Sequence, residues 1–185
     1  FIRLPCDSGH VIVDAAPVPL PRRADRTVLR TDNHLERSIG TVVHLALEGL
    51  SRLPALPECI SIADERRWRM ALQREGLWGD LLDDALQVVL SSIAQALHHD
   101  NIGRWLLSPE HADAHSEWSL TTVDAQGKTR DIVIDRSFID RATGQRWVID
   151  YKNSGPASGE SLEDFAAREC AVYMEQLRQY RDTVR

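Results

Sequence analysis

Lysine is nearly missing from this chain of 185 residues: Lys128 and Lys152 stand alone among arginines. A lysine inside a motif therefore carries more weight here than in a chain of average composition. Cysteine is scarce as well. Cys6, Cys59 and Cys170 are odd in number, scattered and without a C-x-x-C pair. That excludes a disulfide framework and the ligand spacing of zinc or iron–sulfur sites. No apolar run approaches the ~18 residues a membrane helix needs. Positive charge is not in excess either, the net charge being −6. A module that finds nucleic acid by bulk attraction to phosphate needs the opposite sign. An active site that acts on nucleic acid delivered by another component is not excluded.

What is present is ordinary for a globular chain: 43% hydrophobic and 27% charged residues. The length is enough to bury a core without a metal or disulfide staple. The chain starts at Phe1 with neither an initiator Met nor a signal-peptide pattern. It is expected to be a cytoplasmic piece cut from a longer polypeptide.

Residues 1–30 read as an extended leader, with a short strand around His10–Asp14 and a linker through Pro17, Pro19 and Pro21. Residues 31–185 read as one domain. Ile39, Val42, Val43, Ala46, Leu47 and Leu50 recur at helical spacing until Pro54. Ser61 with Asp64 starts a second helix that runs to about Arg74, before Gly76. A third opens at Asp80, carries Leu81, Leu82, Ala85, Val88, Val89, Ile93 and Leu97 on one side, and ends at Asn101 and Gly103. Then the period changes. Trp118–Val123, Thr129–Ile139 and Gln145–Tyr151 read as three strands joined by turns. Ser161 with Asp164 caps a last helix bearing Phe165, Ala166, Cys170, Tyr173, Leu177 and Tyr180. Helices, a three-stranded meander and a helix make an α+β pattern.

Asp135 and Asp150 interrupt apolar strands, Ile132-Val133-Ile134-Asp135 and Trp147-Val148-Ile149-Asp150. Charge in such a setting is costly unless paired or bound to metal. With the turn centred between Ala142 and Thr143, residues whose numbers sum to 285 lie opposite each other, and the two aspartates meet that sum. Cross-strand partners sit ~4.5–5.5 Å apart on one face. Two carboxylates that close repel unless a cation lies between them, and Mg²⁺ is a natural occupant. Strand alternation puts Lys152 on the same face as Asp150. There an ammonium can orient or deprotonate an attacking water. A buried salt-bridge cluster, or a register that splits the two acids, is the bland alternative.

Asp150-Tyr151-Lys152, with Val148-Ile149 before it and Ile134-Asp135-Arg136 on the neighbouring strand, resembles the motif core of PD-(D/E)XK nucleases. More narrowly it resembles the RecB/AddA-type nuclease domain at the C-terminus of bacterial helicase–nucleases. Gly40-Thr41-Val42-Val43-His44-Leu45-Ala46-Leu47-Glu48 is similar to that family's G-x-x-x-H-x-x-L-E helix. Tyr173-Met174-Glu175-Gln176-Leu177-Arg178-Gln179-Tyr180 is similar to its Y-x-x-Q-L-x-x-Y helix. The pieces stand in the family's order.

The resemblance implies a restriction-endonuclease-like core and metal-dependent hydrolysis of DNA. Single-stranded DNA would be fed by a helicase motor of the same polypeptide or complex, in break processing or degradation of foreign DNA. It implies Mg²⁺ or Mn²⁺ held by His44, Asp135, Asp150 and the backbone carbonyl of Tyr151, with Lys152 serving the water. Gly40 would let the first helix approach the sheet closely, and Gln176 and Tyr180 would face the site or the DNA. Tyr173, Glu117 and Arg136 would contact DNA or support the site. Glu117 alternatively pairs with an arginine such as Arg136.

Two departures stand out. Val133 occupies a position where the family usually has glycine, and the chain stops at Arg185, before the family's usual last strand. That missing strand would leave a sheet edge open to a partner. A catalytically inactive module that binds DNA or docks a protein is therefore the second reading.

Other signals are weaker. Gly127-Lys128-Thr129 mimics the end of a P-loop, but Thr122 stands where its first glycine belongs. His111 and His115 are four apart, with Pro109 just before them, and read as a solvated loop. The five tryptophans form no stacking stripe and read as core or half-buried. Arg66, Arg67, Arg69 and Arg74 give one helix a basic face, open to DNA backbone or to solvent.

Overall fold

The structure, a computed structural model, describes residues 2–5, 12–13, 31–98, 102–123, 127, 129–152, 157 and 159–184. The proline-rich linker lies outside them. The chain divides into two compact units, Val18–Pro109 and a second made of Phe1–Pro17 with Glu110–Arg185.

The first unit is helical, with α1 (Thr31–Ser51), α2 (Ile62–Arg74), α3 (Asp80–His98) and α4 (Gly103–Leu107). The apolar stripe expected on α1 is buried throughout, from Ile39 to Leu50. Ser61 caps α2 by accepting from the Asp64 backbone N–H at 3.1 Å, and its hydroxyl donates to the Asp64 carboxylate at 2.6 Å. At the other end Gly76 (φ +86°) closes a Schellman turn. The N–H of Leu77 donates to Leu72 O and that of Gly76 to Gln73 O. α3 packs against α1, α2 and α4. Gly103 starts α4 instead of merely ending α3: a Cβ there would lie 2.1 Å from the Ala96 carbonyl oxygen. Five residues are too few to print a helical period, so α4 escapes the sequence pattern. Among the described residues of the helical unit a Cβ at Gly40 would meet nothing within 4 Å. Trp78, expected in or near the core, is exposed. On α2, Arg67 pairs with Asp64 and Arg69 with Asp83 of α3.

The second unit carries β1 (Ile2–Pro5), β2 (Ile12–Val13), β3 (Ala112–Val123), β4 (Thr129–Ile139), β5 (Arg146–Asp150) and α5 (Leu162–Thr183). The expected α+β meander is present, inside a five-stranded antiparallel sheet of order β2-β1-β5-β4-β3. Within the stretch read as a leader, Ile12–Val13 is the short strand expected around His10–Asp14, and Ile2–Pro5 is a further one. β5 is no sheet edge: β1 pairs with it, Ile2 with Asp150 and Pro5 with Trp147. The β4–β5 turn is fixed by Asp140. Its carboxylate accepts from the Ala142 N–H at 3.1 Å and the Thr143 hydroxyl at 2.8 Å, and Gly144 takes φ +70°.

β3 starts six residues earlier than its apolar run suggested. His111 is no solvated loop residue: it is buried, its ring stacked on Phe138 with centroids 3.7 Å apart. His115 lies in β3, bonded to Asp113 at 2.8 Å and stacked on Trp118. α5, capped by Ser161, packs against β5. Its Leu177 and Tyr180 close a core cluster with Ile134 and Val148.

Candidate functional site

Three acids stand on neighbouring strands: Glu117 on β3, Asp135 on β4 and Asp150 at the end of β5. The β4–β5 pairs run Ile139↔Arg146, Phe138↔Trp147, Ser137↔Val148 and Arg136↔Ile149, each summing to 285. The pairs end there, with Asp135 and Asp150 each the next residue beyond the last pair. The β3–β4 ladder pairs Ser116 with Arg136 and Trp118 with Ile134, which sets Glu117 opposite Asp135. A carboxylate oxygen of Glu117 and one of Asp135 lie within 4.8 Å of each other. Asp135 is 9% exposed and Asp150 4%, whereas Glu117 is half-buried.

Glu117 reaches this position through an unusual backbone. Its φ is +49°, in the left-handed region that a residue with a Cβ occupies at a cost of ~1–2 kcal/mol. The sequence put Glu117 just before a strand. It lies in the middle of β3, and no glycine or asparagine signals the left-handed turn.

The other two acids are held from the end of β5 and from α5. The Tyr151 backbone N–H donates to Asp135 Oδ2 at 2.5 Å. Lys152 Nζ lies 2.6 Å from Asp150 Oδ2. Burial works against the Lys152 ammonium, but the hydrogen bond and charge of Asp150, aided by Tyr173 and Asp135, outweigh it. The pKa is held above the ordinary lysine value, so Lys152 is a cation at neutral pH. Tyr173, Gln176, Leu177 and Tyr180 recur at helical spacing and share one face of α5. The Gln176 side-chain amide donates to Tyr180 Oη at 2.5 Å and, more weakly, to Asp150 Oδ1 at 3.4 Å. Tyr173 lies beneath the Lys152 ammonium, 4.1 Å from nitrogen to ring centroid. Burial, with the negative charge of Asp150 and Asp135, raises the Tyr180 phenol against the opposing Gln176 hydrogen bond. Burial likewise lifts the Tyr151 phenol well above its usual range.

The sheet unit therefore gathers Glu117, Asp135, Asp150, Tyr151, Lys152, Tyr173, Gln176 and Tyr180. His44 belongs to the helical unit, half-buried on α1, one turn past Gly40. Arg136 is buried, donates to Ser116 Oγ at 2.9 Å and lies over the Phe138 ring. Val133 faces Ser119 across the ladder and is 43% exposed.

The donor set suits a hard divalent cation. The carboxylates of Glu117 and Asp135 on neighbouring strands converge, that of Asp135 largely withdrawn from water, and such a pair is stable when a cation shares it. Oxygen donors match Mg²⁺ and Mn²⁺ better than soft metals.

The chain matches the profile of the PD-(D/E)XK nuclease superfamily over residues 21–185. No curated protein and no solved structure matches it.

Proposed function

Because this chain belongs to the PD-(D/E)XK nuclease superfamily, we propose that it is a metal-dependent nuclease that hydrolyses phosphodiester bonds in DNA. One observation carries the reading: the acids Glu117, Asp135 and Asp150 stand in adjacent strands with the Lys152 ammonium at the flank of the last. Asp135, Asp150 and the Tyr151 carbonyl would hold a Mg²⁺ or Mn²⁺ ion, with Glu117 beside them. The resemblance of the helix around His44 to the family motif implies a further, imidazole ligand. When bound, such an ion polarises both a water molecule and the scissile phosphodiester.

Lys152 offers its ammonium hydrogen bonds beside Asp150. It orients the attacking water and offsets the negative charge that grows on the phosphate. Tyr151 N–H and Gln176 each bond one oxygen of an aspartate and fix it in place, and Lys152 meets the other oxygen of Asp150. Tyr180 orients Gln176 in turn. Arg136 supports β3 and β4 from within the sheet unit through Ser116.

The substrate is single-stranded DNA, delivered by a helicase motor of the RecB/AddA kind and cut during break processing. Four motifs in the order of that subfamily support this, as does the net charge of −6, which suits a domain that receives DNA from a partner. The test is cleavage of labelled single- and double-stranded DNA with Mg²⁺, Mn²⁺ or EDTA. Metal-dependent cleavage is expected, lost in Asp150→Ala and in Lys152→Ala while both variants keep their far-UV spectrum and cooperative melting. DNA binding without cleavage under either metal would favour the inactive-module reading.

A further inference from the structure

We propose that the ring face of Tyr173 is the seat of the Lys152 ammonium, making Tyr173 the residue that positions this cation at the site. The inference rests on the nuclease reading for its purpose but on geometry for its content. Lys152 Nζ is 2.6 Å from Asp150 Oδ2 and 4.1 Å from the Tyr173 ring centroid, well inside the ~6 Å over which an aromatic face attracts a cation. The ammonium is thus held from two sides, by a carboxylate on β5 and a ring on α5.

The two holds differ in chemistry. Asp150 is a carboxylate whose charge is divided when a divalent ion shares it, so its grip on Lys152 weakens at the moment the site is loaded. The attraction of a ring face does not change in that way. A carboxylate in place of Tyr173 would hold the ammonium more strongly but would also enter the ligand set. An aromatic face holds a cation while offering neither formal charge nor lone pair to a metal. Gln176, one turn on, keeps the opposite oxygen of Asp150 in register at 3.4 Å. The face of α5 therefore fixes both members of the Asp150–Lys152 pair.

The scarcity of lysine makes the test clean. Protein grown with ¹³C,¹⁵N-lysine shows two sets of side-chain signals, and Lys128→Arg identifies the other as Lys152. In the metal-free wild type the Lys152 Hε signals are expected upfield of an unstacked lysine, with a nuclear Overhauser effect to a tyrosine ring. Tyr173→Phe should keep the upfield position, and Tyr173→Leu should lose it. In cleavage of single-stranded DNA with Mn²⁺, Tyr173→Phe should rescue kcat. Tyr173→Leu should lower kcat by up to about a hundredfold with KM little changed, the scale expected for a misplaced group. Unshifted Lys152 signals without the Overhauser effect in the wild type overturn the proposal even if the leucine variant fails to fold. So does a folded leucine variant that keeps both shift and kcat. A wild type that shows shift and Overhauser effect but cleaves nothing with either metal upholds the seat and refutes the nuclease reading.

Discussion

Replacing Glu117 by glycine, alanine and glutamine separates the cost of its backbone from the role of its carboxylate. At φ +49° any side chain with a Cβ carries ~1–2 kcal/mol of strain. Glycine escapes that strain but adds about 0.5–1 kcal/mol of freedom to the unfolded chain. Glu117→Gly should therefore be more stable than Glu117→Ala by about 0.5–1 kcal/mol, read as thermal melting in EDTA. At this chain length 1 kcal/mol corresponds to about 2–4 °C. The charge effect is independent of the backbone. Carboxylate oxygens within 4.8 Å repel by on the order of 3 kcal/mol at an effective dielectric of ~20, less with the solvent that reaches Glu117. Glu117→Gln should accordingly melt higher than the wild type without metal. With Mn²⁺ the order should reverse, because an ion at a hundred times its Kd adds about 2.7 kcal/mol to a protein that binds it and less to one that lacks a ligand. An alanine variant as stable as the glycine variant would refute the backbone argument. A Mn²⁺-induced rise in Tm equal in wild type and Glu117→Gln would refute the shared-ion argument.

Gly103→Ala should destabilise the helical unit by about 1–3 kcal/mol or more, because the new methyl would overlap the Ala96 carbonyl of α3; an unchanged urea midpoint would contradict this. Asp113 should make stability depend on pH. Its hydrogen bonds to Arg146 and then His115 lower its pKa from 3.8, so the stabilisation is present above that value and is lost as pH falls through the lower folded value. Asp113→Asn, at a φ of +44° that asparagine tolerates, should lose stability relative to wild type at neutral pH and converge with it in acid. A gap between the two melting curves that stays constant from pH 7 to pH 2 would rule this out.

Much of this protein could be read from local pattern. The helical stripe of α1, the Ser61 and Ser161 caps and the Asp140 turn each follow from a few neighbouring residues whose propensities agree. The β4–β5 register from Ile139↔Arg146 to Arg136↔Ile149 was legible for the same reason, since a short hairpin turn determines the pairs next to it. Other features depend on groups distant in sequence. β1 is a strand because the open edge of β5, more than 140 residues away, offers it a ladder. His111 is buried because Phe138 is there to stack on it. Glu117 takes a left-handed backbone that nothing in its neighbours requires, and Lys152 finds a ring on a helix that begins ten residues later. Sequence alone determined which strands and turns carry the acids, because alternation and turns act over a few residues. Tertiary structure decided how each acid and the ammonium are held, because that depends on contacts no local pattern encodes.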